Sequence, residues 1–324
     1  MASSFAPSLR RAAVAAIVAN VGIVLTGGIV RLTGSGLGCP DWPRCEGASV
    51  VPPAASEHSS LNQAIEFGNR LLTFVLLAIA IWVVLAARKH ARDRVDIQRL
   101  AWLQPAGILA QAALGGITVL TDLNPLVVAA HFLLSMAIIA AAVVLWERVR
   151  IQPTIEETHG GGAFVWRLTT AVLVVAGVVL VLGTLVTAAG PHAGDPGTPR
   201  LGLDIRTMAV AHADAVWLLL GLTTATVIHA HTARMTYLRR AALLLLGLEL
   251  AQGGIGYLQY ALGIPPQIVT FHLLGAAGVW VAALHTAVTA RRYGGVNWVH
   301  PWPEAEQRPL ASATLPVEKR GPGS

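Results

Sequence analysis

Eight apolar stretches, each about 20 residues long, leave this 324-residue chain little choice but a bundle of membrane-crossing helices. They lie near 13–30, 71–87, 103–120, 126–145, 168–189, 208–230, 241–260 and 269–290. Only 12% of the residues are charged, against roughly a quarter in a soluble domain. Backbone polar groups must be paired internally in lipid, which favours helices. Strands of a membrane barrel would be shorter and would alternate apolar with polar residues. The first stretch follows Arg10 and Arg11 as a secretory signal would. Its apolar run is long, however, and no small-residue cleavage site leads into a soluble domain, so it reads as the first helix. The expected fold class is all-α: a polytopic membrane protein of eight transmembrane helices in two tandem four-helix bundles.

Basic residues set the orientation. Arg10 and Arg11 precede the first helix, and Arg88, Lys89, Arg92, Arg94 and Arg99 join the second to the third. Arg148, Arg150 and Arg167 join the fourth to the fifth, Arg234, Arg239 and Arg240 the sixth to the seventh, and Arg291 and Arg292 follow the eighth. The alternate loops hold few basic residues. The expectation is a multi-pass protein of the cell membrane with both termini cytoplasmic. The net charge of +6 belongs to this bias, so lipid is the expected partner and nucleic acid is not.

The chain is also duplicated. Gln111 and His131 stand 20 residues apart, and so do Gln252 and His272. With the histidines in register, Gly115 falls on Gly256, Pro125 on Pro266, Val128 on Val269 and Leu133 on Leu274. Gly22 and Gly28 match Gly177 and Gly183 more loosely. The division expected is an N-terminal half over 1–150, a cytoplasmic linker over 151–164, a C-terminal half over 165–292 and a Pro-rich, disordered tail over 293–324. Both halves start inside, so the repeat is parallel.

Imidazoles in a bilayer are costly unless they are used. His131, His212 and His272 each sit in the first turns of a helix starting at the outer face; His212 is roughly 8 Å in from Thr207. The expected haem sites therefore lie toward the outer leaflet. Two neutral imidazoles from facing helices can bind one haem iron from both sides, a closed arrangement suited to electron transfer. His212 and His272 form such a pair. In the first half the position matching His212 is Asn69, a poor iron ligand, which leaves His131 as the only clear strong ligand there.

Glu66 shares a helix face with Asn69. It is a candidate for accepting a proton or steadying positive charge on a substrate. An ion pair with Arg70 is the structural alternative. Arg31 and Arg70 suit anionic groups such as haem propionates, or equally the lipid headgroups. Glu249, one turn before Gln252, is compatible with a protonated acid, a paired one or a step in a proton route. His229, His231 and His285 lie near the inner ends and read as packing residues, while nothing marks His58 or His192 as ligands. The two cysteines, Cys39 and Cys45, share the first outer loop, as a structural staple or a redox-active pair. The glycines from Gly34 to Gly38 follow a membrane helix, not a strand, which rules out a dinucleotide fingerprint.

The run from Arg31 through Cys39, Pro40, Asp41, Trp42, Pro43 and Arg44 to Cys45 resembles the haem A synthase family of bacterial type. So do the run Ile65-Glu66-Phe67-Gly68 and the stretch from Gln111 to Thr121 leading to His131. The resemblance covers nearly the whole span from the first helix to the eighth. It implies oxidation of the haem O methyl group to the formyl of haem A, with oxygen from water. It implies a resident haem b on His212 and His272, a haem O site with His131 and Glu66, and a Cys39–Cys45 disulfide. Its implied partners are haem O, the haem O synthase that makes it, an electron acceptor of unidentified class and further copies of the chain. Many members carry His where this chain has Asn69, and some carry a second outer cysteine pair that is missing here. A bis-His cytochrome b-type carrier, a membrane haem transporter and a thiol oxidoreductase are the alternatives.

Overall fold

The computed structural model describes residues 6–53, 59–150 and 162–293. They form eight helices: α1 (Pro7–Leu32), α2 (Ser60–His90), α3 (Val95–Leu120), α4 (Pro125–Val149), α5 (Gly162–Ala189), α6 (Ile205–Thr232), α7 (Thr236–Ala261) and α8 (Pro266–Tyr293). Each is long and apolar enough to cross a membrane, and the chain is a multi-pass membrane protein. Among the described residues the only β-type pairing is an isolated bridge between Glu46 and Ser49. The expected linker and tail lie, from 151 to 161 and from 294 onward, outside the described residues, as does His58.

Apolarity located every helix, but α2 begins well before the apolar stretch at 71. Its first turns carry Gln63, Glu66 and Arg70, polar residues that the loop after α1 covers; Gln63 and Glu66 are buried. Polar side chains satisfied by a loop do not interrupt a helix, although they interrupt a hydropathy reading. Two of the histidine-bearing helices have defined starts. Asn124 caps α4 by accepting from the Leu126 amide at 3.0 Å, with Pro125 in the first turn. Asp204 caps α6 by accepting from the Thr207 amide (2.8 Å) and hydroxyl (2.7 Å). These two bonds hold the exposed Asp204 carboxyl below its ordinary range.

Helices α1 to α4 close into a ring in which each packs on the next and α4 returns to α1; α5 to α8 do the same. The rings meet through α4 against α8, α1 against α8 and α4 against α5. We call the end bearing the α1–α2 loop the loop end, and the other, rich in arginine, the basic end. Core packing favours the basic end. Leu9, Ala13, Val83, Ala87, Ile97 and Leu145 form one cluster there, and Val165, Ala230, Met235, Leu238 and Ala290 another. In α6 the buried residues run from Leu219 to Ala230, in α7 from Leu238 to Glu249 and in α8 from Ala277 to Ala290. Toward the loop end none of the residues of these three helices is buried, and His212 and His272 stand there.

The seam between the rings is tied at several depths. Trp280 of α8 donates to the Met136 carbonyl of α4 at 2.9 Å. Nearer the basic end, His285 of α8 meets the buried Glu147 of α4 at 2.7 Å, and Arg150 donates to the other Glu147 oxygen at 2.7 Å. At the loop end Arg31 of α1 donates to the Thr187 carbonyl of α5 at 2.8 Å, and the Gly36 amide donates to the Gly194 carbonyl at 2.9 Å.

Candidate functional site

The histidines of the second ring face one another. The rings of His212 on α6 and His272 on α8 have centroids 6.5 Å apart, inclined by 60°. His212 Nδ1 lies 3.0 Å from the Val179 carbonyl of α5. A carbonyl can only accept, so Nδ1 carries the hydrogen and Nε2 is left as a bare lone pair, the form that binds metal. His272 keeps Nδ1 buried with no partner among the described residues.

Each histidine rests on a glycine of the preceding helix. A Cβ on Gly183 would stand 3.3 Å from His212 Cε1, one on Gly256 3.3 Å from His272 Cε1, and one on Gly115 3.1 Å from His131 Cε1. Any side chain at these positions moves the ring. A second device recurs with the first. Gln252 donates to the His272 carbonyl at 2.7 Å, and Gln111 to the His131 carbonyl at 3.0 Å. The glutamines thus grip the backbone of the helix that carries each imidazole. Gln111 also donates to Ser135, one turn beyond His131.

The fourth place in this pattern holds Asn69. Its Oδ1 accepts from the Thr26 hydroxyl of α1 at 2.8 Å. The side chain is occupied within the α1–α2 interface, so the first ring offers one imidazole where the second offers two.

Glu66, Arg70 and the disulfide form a single unit above the first ring. Cys39 and Cys45 are joined. Glu66 Oε2 accepts from the Cys39 amide at 2.6 Å, and Oε1 accepts from Arg70 Nε at 3.1 Å and Nη2 at 2.5 Å. Arg70 also donates to the carbonyls of Cys39, Asp41 and Arg44. All five guanidinium hydrogens are thereby engaged inside the protein. The loop lies hard against α2, since a Cβ on Gly38 would stand 2.7 Å from the Asn62 carbonyl carbon. From this anchored loop Trp42 reaches across to pack on Gly116 of α3, beside the glycine that seats His131. Trp42 was legible only as part of a motif; its position over α3 carries no signal of its own. Over the second ring, His192 joins the α5–α6 loop to the Ile264 carbonyl at 2.9 Å.

Among the described residues no three His, Cys, Asp or Glu side chains converge on a metal-sized site. A facing pair of neutral imidazoles in a dry interior suits a metal whose remaining ligands come with a macrocycle.

Fold and site together define a polytopic helical membrane protein with an intramembrane histidine pair and a disulfide-closed loop over a related half. Residues 10–194 match the family model described as cytochrome oxidase assembly protein (COX15-CtaA), and the chain belongs to that family. Heme A synthase of Exiguobacterium sibiricum is 29% identical over 182 residues, covering 55% of this chain and 58% of that protein. Heme A synthase of Lysinibacillus sphaericus is 35% identical over 139 residues, 42% of this chain and 43% of that one. That of Staphylococcus saprophyticus is 30% identical over 139 residues, 43% and 44%. The chain thus matches about half the length of these curated relatives. The family match contains Glu66, Asn69, Arg70, His131 and both cysteines, whereas His212 and His272 lie beyond it.

Proposed function

We propose that this chain oxidises the methyl group of haem O to the formyl group of haem A. The facing of His212 and His272 carries the reading, because it sets a closed ligand pair in one ring beside a single imidazole in its repeat. Relatives named heme A synthase and membership of a cytochrome oxidase assembly family support it. The chemistry needs a reacting porphyrin and a separate outlet for electrons. Successive hydroxylations by water each release an electron pair and protons, and loss of water from the geminal diol leaves the formyl group.

The second ring suits a resident haem b. The 6.5 Å between the ring centroids would leave room for one metal ion held by both imidazoles, given metal–imidazole bonds of about 2 Å. The Val179 carbonyl fixes the required tautomer on His212. His212 and His272 would hold a haem b there, and it would supply one-electron chemistry. His212 and His272 hold the iron, Gly183 and Gly256 give their rings room, and Gln252 fixes the height of His272.

In the first ring His131 positions the substrate iron, and Glu66 handles protons or steadies charge developing on the substrate. Arg70 acts through the loop it fastens, and Arg31 ties the two rings beside it. Asn69, bonded to Thr26, leaves the substrate side without a second strong ligand, which counts against an electron carrier with two closed haems. The bias of basic residues toward one end of the bundle supports cytoplasmic termini, with the histidines toward the outer leaflet.

Expression of the full chain in cells that make haem O but no haem A, followed by pigment extraction, tests the reaction. Haem A in the extract is the expected result; haem b alone would leave a carrier. The glycine seats give an independent check. Gly256→Val drives a branched side chain into His272, so the bound haem should show shifted absorption bands and wash out on gel filtration. Unchanged bands would remove the seat from the argument.

A further inference from the structure

α7 carries a buried carboxyl group at a position where its repeat, α3, is apolar. Glu249 of α7 is 3% exposed. Its Oε1 accepts from the Thr223 hydroxyl of α6 at 2.9 Å, and its Oε2 is buried with no partner among the described residues. With Gln252 laid on Gln111, Glu249 falls on Ile108; with His212 laid on Asn69, Thr223 falls on Ala80. In the first ring Ala80 and Ile108 pack into one apolar cluster with Leu76. The fold therefore closes at the two matching positions with apolar side chains. A half-satisfied carboxyl inside a membrane helix is costly, and the repeat shows that architecture does not demand it.

Glu249 also stands in line with the histidine pair. Glu249, Gln252 and Gly256 share one face of α7; Gln252 grips the His272 backbone and Gly256 seats its ring. Two helical turns, about 10 Å, separate Glu249 from Gly256. Across that distance in a dry interior, charges interact far more strongly than in water. An electron arriving between His212 and His272 therefore raises the affinity of Glu249 for a proton. By reciprocity the proton raises the affinity of the site for the electron.

We propose that Glu249 is the redox-linked proton site of the second ring. This rests on the reading of His212 and His272 as haem ligands. The Glu249 carboxylate binds one proton from water as one electron reaches the iron, and releases it as the electron leaves. In the experiment below the electron comes from an electrode through small soluble mediators. In turnover it comes from the substrate methyl group.

The other histidines and carboxyl groups on α5 to α8 are accounted for. His212 and His272 sit nearer the loop end as the ligand pair. His229 stands edge-on to Phe164, His231 meets Arg239, and His285 is bonded to Glu147. Asp214 is exposed on α6. Thr223 is the bonding partner that Glu249 has in the interior.

The test is a spectroelectrochemical titration of the purified full-length protein, with its haem, over a range of pH. In the unaltered protein the midpoint potential should fall as pH rises. Glu249→Gln, which mimics the protonated acid, should lose at least half of that fall and keep the higher potential. Haem propionates titrate in both proteins, so only the difference counts. Redox-difference infrared spectroscopy of the unaltered protein with isotope-labelled glutamate should show a carboxylic acid band appearing on reduction. An equal pH slope in the Gln variant, or no labelled carboxyl change, overturns the proposal. A haem spectrum that survives His272→Ala overturns the ligand reading instead, and the proton site falls with it.

Discussion

His272→Ala should yield a folded protein that has lost its resident haem. The expected result is disappearance of the bound-haem absorption bands and of haem b from the pyridine extract. Loss of an outer-shell partner alone weakens metal sites about 10–100-fold, and loss of an axial ligand should exceed that. His212→Ala should do the same, since the two rings face each other across a single position. His131→Ala is the internal control. His131 rests on Gly115 in the other ring, so its removal should spare the resident haem and abolish conversion of haem O. Folding is not at risk in these variants, because the buried cores of α6 and α8 begin at Leu219 and Ala277, beyond both histidines. A His272→Ala protein with an unchanged haem spectrum would sink the ligand assignment.

The asymmetry behind this experiment was visible before any coordinates. Aligning the sixth helix on the second, two residues off the register that lays His272 on His131, lays His212 on Asn69. Apolar length carried the number of helices, because lipid imposes that constraint on composition. What composition does not encode is the use of backbone acceptors. Arg70 reads in sequence as a partner for Glu66, for haem propionates or for lipid headgroups, and what that reading misses is that three of its hydrogens go to loop carbonyls. The Val179 carbonyl that orients His212 likewise has no side-chain signature. The glycines at 115 and 256 were conspicuous as matched positions, but their use as seats for imidazole rings needed geometry. Polar pairs distant in sequence, such as Thr223 with Glu249 and Glu147 with His285, were hidden because each member alone resembles a stray polar residue in an apolar run.

Glu66 and Arg70 offer the second large effect, and comparing them separates two roles that the geometry joins. Glu66 binds the Cys39 amide and Arg70, so it anchors the loop that sets Trp42 on Gly116. As an anchor alone, Glu66 and Arg70 are equivalent, and removing either should free the loop. As a group that meets protons or charge at the substrate, Glu66 has a further part that Arg70 cannot share. Glu66→Gln preserves an acceptor for the Cys39 amide and so should hold the loop in place. Conversion should nevertheless fall by about 10²–10⁴, the usual worth of a positioned acid or base. Arg70→Gln leaves Glu66 buried without its ion-pair partner. Breaking a buried pair costs about 3–5 kcal/mol, and less here because the Arg70 side chain is 21% exposed. That variant should open the loop, seen as faster reduction of Cys39–Cys45 by a soluble thiol, with a smaller loss of conversion. Equal losses of conversion in both variants, with equal exposure of the disulfide, would reduce Glu66 to an anchor. A Glu66→Gln protein with full conversion would remove the acid from the chemistry altogether and leave His131 as the residue that defines the reacting site.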